Sequence, residues 1–269
     1  MTDPLLVEYA DGIATLTFNR PEAYNALNLA LKEKLRLVLN DVAADRSVRA
    51  VLITGAGKAF CAGQDLREHL ATLESGTGNP LQTVHDHYNP IAQRLASLPK
   101  PVVAAVNGSA AGAGLSLALL ADFRVGGPKT SMLMAFAKVG LAADSGSSWI
   151  LPRMVGHAKA TELLMLAEPV NAAEALRLGL LTKLVEDDAD VVPAARELAL
   201  RLAEGRRSRT ARSSGSCPSP RPACSPTPWP WRPRPSRSAA GPRTTGRRPW
   251  RSWPRRSRST RAGSPAARA

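Results

Sequence analysis

The amino-acid sequence predicts an α/β domain in which buried strands alternate with helices. Two uninterrupted apolar runs, at residues 50–54 and 101–106, have the length and composition of buried strands. Each run leads through a turn of small residues into a stretch with helical periodicity. The first 205 residues are enough for one domain of this class with a sizeable core.

The other elements follow from turn signals and periodicity. Two short strand-like segments flank Asp11-Gly12, a dipeptide typical of a tight hairpin turn, which predicts strands at residues 5–10 and 13–18. Helices are predicted at residues 28–44, 81–98 and 191–203, with another from the second small-residue turn to about residue 121, a strand at 123–125 and further helices after residue 144. Periodicity alone favours a doubly wound sheet.

The two small-residue turns are the strongest functional signal. They are AFCAGQDL around Gln64 and NGSAAGAGLSLALLADFRV around Ala113. Unpaired backbone N–H groups at a helix start attract negative charge. Two such groups from separate loops could bind the developing oxyanion of a carbonyl substrate. Taken singly, each turn is better explained by close packing of a strand against a helix.

Five stretches, with their order and spacing, resemble the crotonase family of enoyl-CoA hydratases and isomerases. They are NRPEAYNAL from Asn19, LITGAGKAFCAGQDL from Leu52, PKPVVAAVNGSAAGAGLSLALLADFRV from Pro99, DSGSSWILPRMVG from Asp144 and EALRLGLLTKLVEDD from Glu174. The resemblance covers residues from about 5 to 205. It implies a crotonase spiral of ββα units that binds an acyl-CoA, with no cofactor beyond the CoA of the substrate.

The resemblance also assigns residues to the site. The thioester oxygen is expected on the backbone N–H groups of Gln64 and Ala113. The remaining substrate-binding positions that it implies are Ala26, Leu27, Ala62, Gly63, Asp65 and Gly112.

The candidate catalytic acid is Asp144. Between residues 101 and 151 the only carboxylates are Asp122, which we interpret as structural, and Asp144. From the residues alone, Asp144 is best explained as a helix N-cap. The resemblance to the isomerase branch of the family implies instead a catalytic aspartate, while an aspartate acting as nucleophile, as in the dehalogenase branch, stays open.

Two departures from the hydratase pattern favour isomerisation. Hydratases typically carry two glutamates where this sequence has Ser116 and Phe136. Hydration needs one group to activate water and another to manage the α-proton, whereas one carboxylate can move a proton within a substrate. The expected function is an acyl-CoA isomerase, with ring-1,2-epoxyphenylacetyl-CoA favoured and a Δ3,Δ2-enoyl-CoA second. The alternatives are an enoyl-CoA hydratase and a non-catalytic RNA-binding homologue.

The basic charge of the chain lies in its last 64 residues. Residues 206–269 contain 17 Arg, 12 of the 22 Pro and four of the five Trp, but no Lys, Asp, Glu or large aliphatic residue. Such a segment cannot form a core and is expected to be disordered. Because a GC-rich gene translated out of frame gives this composition, we interpret it as a reading-frame error. The alternative is an arm that binds nucleic acid or a membrane surface.

The remaining features predict a cytoplasmic enzyme. The N-terminus lacks the regions of a signal peptide, and the uncharged run at residues 102–121 is interpreted as strand, turn and helix, so no membrane association is expected. Cys61 is the only cysteine before residue 206, and the pair His85 and His87 lacks a third metal ligand. The expected assembly with an intact C-terminus is a homotrimer or hexamer, with no specific nucleic-acid partner.

Overall fold

The computed structural model describes residues 2–75, 79 and 81–205. The predictions of a disordered tail and of a reading-frame error concern residues 206–269 and lie outside the described part of the chain. The strands are β1 (Leu5–Ala10), β2 (Ile13–Phe18), β3 (Ala50–Gly55), β4 (Ala59–Cys61), β5 (Val102–Val106), β6 (Ser109–Ala111), β7 (Phe123–Gly126), β8 (Ser131–Leu133), β9 (Val170–Asn171) and β10 (Lys183–Leu184).

The α-helices lie between and after these strands. They are α1 (Leu29–Ala44), α2 (Leu66–Ser75), α3 (Asn89–Ser97), α4 (Ala113–Leu120), α5 (Ser147–Val155), α6 (His157–Leu166), α7 (Ala172–Arg177) and α8 (Val191–Glu204). Short 3-10 helices occupy Pro21–Ala23, Ala135–Val139 and Asp188–Asp190, and a π-helical turn occupies Val84–Tyr88. Of the described helices, none is long and apolar enough to cross a membrane.

The strands form two sheets rather than one doubly wound sheet. The larger has the order β1-β2-β3-β5-β7-β10, and the smaller has the order β4-β6-β8-β9. Three times in succession the chain passes from the larger sheet to the smaller one, as β3 to β4, β5 to β6 and β7 to β8, and then returns through helical segments. This repetition confirms the spiral of ββα units and corrects what periodicity alone suggested.

The central strands β3 and β5 of the larger sheet are buried on both faces, which explains their continuous apolar sequences. On β3, Val51 and Ile53 point into the main core, while Leu52 points to the opposite face. There the small residues Ala195 and Ala199 of α8 pack against the sheet. Alternation along each strand therefore divides one apolar run between two cores.

The predicted helix at residues 81–98 is interrupted. Its first part is the π-helical turn, in which the Asn89 N–H donates to Val84 O, five residues earlier. Helix α3 then begins at Asn89, followed by Pro90. Because proline has no N–H, it fits the first turn of a helix but not its interior. The apolar pattern therefore located the segment correctly and missed the change in helix type.

Candidate functional site

The smaller sheet brings the two small-residue turns together. β4 and β6 pair in parallel with Cys61 opposite Ala110, so both strands end at the same edge of the sheet. A Cβ atom placed on Gly63 would lie 2.8 Å from Ala111 O and 3.3 Å from Ala113 N. Gly63 also has a φ of 91°, which L-residues with side chains rarely adopt. Glycine at this position is what allows the two turns to touch.

The backbone N–H of Gln64 is left without a protein partner. Leu27 forms a parallel bridge with Gln64, in which the Leu27 N–H donates to Gly63 O at 2.7 Å and the Asp65 N–H donates to Leu27 O at 3.3 Å. In a parallel bridge this pattern directs the polar backbone groups of the central residue away from the partner strand. The Gln64 N–H therefore points away from Leu27, and it makes no hydrogen bond within the described part of the chain.

The second donor comes from the start of α4. Ala113 is the first residue of this helix, where backbone N–H groups have no acceptor within the helix. The preceding residue, Gly112, has a φ of 48° and a ψ of −124°, and its N–H donates to Leu133 O at 2.9 Å. This conformation is accessible essentially to glycine. Gly112 thus turns the chain directly into the N-terminal, positive end of the α4 dipole.

Both donors line one cavity with Asp144. The cavity measures about 120 Å³. Its described lining consists of Ala62, Gly63, Gln64, Leu66, His69, Tyr88, Gly112, Ala113, Ala135, Phe136, Val139, Leu141 and Asp144. Within that lining, Asp144 is the single carboxylate. The site therefore combines two free backbone donors, one acid and a mostly apolar wall, which suits an apolar group next to a carbonyl.

Asp144 is half-buried, and its carboxylate does not cap a helix. Helix α5 has Gly146 at its N-cap and no side-chain cap, while Ser147 binds the backbone carbonyl of Asp144 through its N–H at 2.9 Å. The Asp144 Oδ1 atom accepts instead from the Ser145 hydroxyl at 2.7 Å. Burial raises the pKa of Asp144, and the Ser145 hydrogen bond opposes part of that rise. The N-cap interpretation of Asp144 is therefore wrong.

The two positions that depart from the hydratase pattern hold no acid. The Ser116 hydroxyl is fully buried and donates to Gly112 O at 3.0 Å, so it is committed to the turn. Phe136 lines the cavity with an apolar ring. Neither side chain can transfer a proton in place of a glutamate.

Three of the predicted substrate-binding residues do not line this cavity. Ala26 and Leu27 lie beside it, where Leu27 holds the first turn through the bridge to Gln64. The Asp65 carboxylate accepts from Arg20 Nη1 at 2.9 Å and from the Arg67 N–H at 3.1 Å. Burial tends to raise the pKa of Asp65, but these hydrogen bonds and the Arg20 charge lower it overall. Asp65 thus ties its loop to Arg20.

Two cavity residues carry no signal in the sequence. Tyr88 is buried and lines the cavity, but it belongs to no recognisable sequence motif. His69 lines the same cavity and contacts the Gln64 side chain, with 3.0 Å between Gln64 Nε2 and His69 Nδ1. A lone tyrosine or histidine in a helical pattern is indistinguishable from a core or surface residue, so only the folded arrangement reveals them.

The Cys61 thiol beside this site is held in its protonated form. Cys61 is buried, its pKa is raised to about 12 by burial, and its thiol donates to Asn25 O at 3.1 Å. Across the described residues, no group of three or more His, Cys, Asp or Glu side chains is placed to hold a metal ion.

The site combines two free backbone donors and one acid in a spiral fold, and comparison with known proteins identifies the family. Residues 8–214 match the family model described as enoyl-CoA hydratase/isomerase. This chain therefore belongs to the enoyl-CoA hydratase/isomerase family. The match ends close to the change of composition after residue 205.

Individual relatives carry different reaction names. A 1,2-epoxyphenylacetyl-CoA isomerase from Escherichia coli (strain K12) is 40% identical over 203 residues, covering 76% of this chain and 77% of the relative. A protein from Rhodobacter capsulatus described as a probable enoyl-CoA hydratase is 42% identical over 181 residues, covering 67% of this chain and 68% of the relative. A crystal structure described as an enoyl-CoA hydratase/isomerase from Mycobacterium abscessus has a TM-score of 0.72 at 40% identity, covering 75% of this chain and 77% of that chain.

Proposed function

We propose that this chain is an acyl-CoA isomerase that moves a double bond or rearranges an epoxide on a CoA thioester. The observation that carries the proposal is the composition of the cavity, where Asp144 is the one carboxylate in the described lining and faces the same space as Gln64 and Ala113. A single acid–base group is enough to move a proton between two atoms of one substrate.

In the proposed mechanism the thioester oxygen accepts hydrogen bonds from the backbone N–H groups of Gln64 and Ala113. Negative charge that develops on this oxygen is stabilised because both donors are fixed by strand pairing and by the start of α4. For a double-bond shift, the Asp144 carboxylate removes a proton from one carbon of the acyl chain and returns it to another. Substrate and product then have the same composition, and Asp144 ends in its starting state.

The favoured substrate is ring-1,2-epoxyphenylacetyl-CoA, with a Δ3,Δ2-enoyl-CoA second. The name of the Escherichia coli relative supports the first choice. The apolar wall formed by Leu66, Phe136 and Leu141 is compatible with an aromatic acyl group. Assembly into a homotrimer or hexamer remains a prediction that depends on an intact C-terminus.

The hydratase alternative is supported by the description of the Rhodobacter capsulatus relative. It requires a second proton-transfer group near Asp144. Ser116 is bonded to Gly112 O and Phe136 is apolar, so neither position supplies that group. We therefore favour isomerisation.

Substitution of Asp144 tests the proposal. In the full chain, Asp144→Asn is expected to lower turnover of an isomerisable acyl-CoA by about 10²- to 10⁴-fold, the usual contribution of a general acid–base group. The dissociation constant for the CoA thioester should change little. Asp41→Asn, which alters an exposed carboxylate on α1, is the matched control and should leave turnover unchanged. Near-normal turnover in Asp144→Asn would refute the assignment.

A further inference from the structure

Tyr88, which lines the proposed acyl cavity, carries a buried hydrogen-bond donor that no protein group uses. The side chain is 1% exposed, and it lines the cavity together with Gln64, Ala113 and Asp144. Its hydroxyl has no hydrogen-bond partner within the described part of the chain. Buried tyrosine hydroxyls normally have a partner, because an unsatisfied polar group is costly to bury.

Among the described residues, the only other buried side-chain atom without a partner is Arg36 Nε. Arg36 lies in a separate surface depression with Arg94 and does not contribute to the acyl cavity. Within the described lining of the acyl cavity, Tyr88 therefore has the one buried side-chain donor without a partner.

The tyrosine ring is held in place from two sides. Tyr88 is the last residue of the π-helical turn Val84–Tyr88, an irregularity that is rare in proteins and frequent at functional sites. Lys32 Nζ lies 5.4 Å from the ring centroid, in the range of a cation–π contact. Lys32 is itself bonded to Thr83 Oγ1 at 2.9 Å and to Glu68 Oε1 at 3.2 Å, so it supports the ring and leaves the hydroxyl free.

The hydroxyl is suited to donate a hydrogen bond rather than to release its proton. Burial raises the pKa of Tyr88 well above its ordinary value, and the negative charges of Asp144, Glu68 and Asp65 add to the effect, as does Cys61. Asp144 does not accept from this hydroxyl; the bond to its Oδ1 atom comes from Ser145. The Gln64 side chain is likewise engaged, by His69.

We propose that the Tyr88 hydroxyl donates a hydrogen bond to an oxygen atom carried by the acyl part of the substrate, and so selects oxygenated acyl groups over plain hydrocarbon ones. The inference rests on the proposed function, since it takes the thioester oxygen to occupy the donors at Gln64 and Ala113. The described lining of the same cavity includes the apolar residues Leu66, Phe136 and Leu141. An epoxide, ether or hydroxyl oxygen supplies the acceptor that this wall lacks.

Binding of two unreactive thioesters tests the proposal. Phenylacetyl-CoA and 2-hydroxyphenylacetyl-CoA differ by one ring oxygen, and their dissociation constants are measured with the full chain. The wild type should bind the oxygenated thioester more tightly by roughly 3- to 10-fold, as one net hydrogen bond provides. Tyr88→Phe should bind both thioesters alike. Tyr9→Phe, at an exposed tyrosine on β1, is the matched control and should keep the preference.

Stability of the unliganded chain gives a second measurement. Because the hydroxyl has no protein partner, Tyr88→Phe should unfold at the same temperature as the wild type or at a higher one. A clear fall in the midpoint temperature of unfolding would show that the hydroxyl has a structural partner, and would overturn the proposal. So would equal binding of the two thioesters by the wild type, or a preference that survives in Tyr88→Phe.

The outcome is separable from that of the proposed isomerase activity. Asp144→Asn should keep the preference for the oxygenated thioester, because binding does not need the acid. Equal binding of both thioesters would overturn the role of Tyr88 alone. Failure of the wild type to bind either thioester would overturn both proposals together.

Discussion

The Ser145 hydroxyl donates a 2.7 Å hydrogen bond to Asp144 Oδ1, from a residue whose backbone lies in the left-handed region at a φ of 50°. The neighbouring Gly146 also has a positive φ, of 83°. Two successive residues of this kind make a sharp turn that directs the Asp144 side chain toward the cavity before α5 begins. Positive φ values in residues other than glycine are unfavourable and are often found at functional sites.

This hydrogen bond predicts a pH effect. A general base must be deprotonated, so activity should fall as the pH drops through the pKa of Asp144, which burial places above its ordinary value. Ser145→Ala removes a hydrogen bond that lowers this pKa. The acidic limb of kcat/KM should therefore move to higher pH. Ser148→Ala, at an exposed serine of the same segment, is the control, and a limb that stays in place in Ser145→Ala would contradict the prediction.

The second prediction concerns water addition. With Ser116 committed to the turn and Phe136 apolar, the site should hydrate crotonyl-CoA far more slowly than it isomerises a suitable acyl-CoA. Both reactions change the absorbance of the conjugated thioester and can be followed with one enzyme preparation. Hydration at a rate equal to isomerisation would show that another residue supplies the second proton-transfer group, and would favour the hydratase alternative.

The third prediction concerns the backbone at the second turn. Gly112→Ala should lower the free energy of unfolding by about 1–3 kcal/mol, because the φ and ψ of Gly112 suit glycine alone. The cost should come from the backbone, since the nearest side-chain atom to an added Cβ would be Ala135 Cβ at 3.9 Å, an ordinary contact.

Urea unfolding measures this loss of stability in Gly112→Ala, and Gly140→Ala is the control. Gly140 has a φ of 71° and a ψ of 19°, an ordinary left-handed conformation, and no atom lies within 4 Å of an added Cβ. The Gly140 variant should therefore lose less stability. Equal losses in the two variants would show that the special conformation of Gly112 has no cost of its own.

The fourth prediction concerns residues 206–269 and rests on their amino-acid composition. The nucleotide sequence around codon 206 should contain an inserted or deleted base, and restoring the frame should remove the run of Arg, Pro and Ser codons. Light scattering of the restored protein should then show a homotrimer or hexamer. An uninterrupted frame together with a discrete oligomer of the 269-residue chain would contradict this interpretation.

Local patterns were enough for part of the fold. The hairpin strands Leu5–Ala10 and Ile13–Phe18 have the predicted bounds, because a two-residue turn fixes their pairing locally. The second sheet could not be found in this way. Strands such as Ala59–Cys61 and Ser109–Ala111 have three residues each, too few to show an alternation of apolar and polar positions.

The site was predicted unevenly for a related reason. Gln64 and Ala113 occupy recognisable turns, and both line the cavity with Asp144. Tyr88 escaped notice because its position depends on the π-helical turn before Pro90 and on packing against Lys32, which is distant in sequence. A single side chain placed by tertiary contacts leaves no spacing pattern to detect.

The parallel pairing of Cys61 with Ala110 holds together the two turns that carry the proposed donors. The proposed chemistry is therefore insensitive to most side-chain substitutions in these turns. The two donors are peptide groups, so exchanging the Gln64 or Ala113 side chain does not delete them. The cavity wall comes largely from other elements, among them α2 through Leu66 and a 3-10 helix through Phe136. Such a scaffold can change the acyl group that it accepts while keeping the two proposed backbone donors.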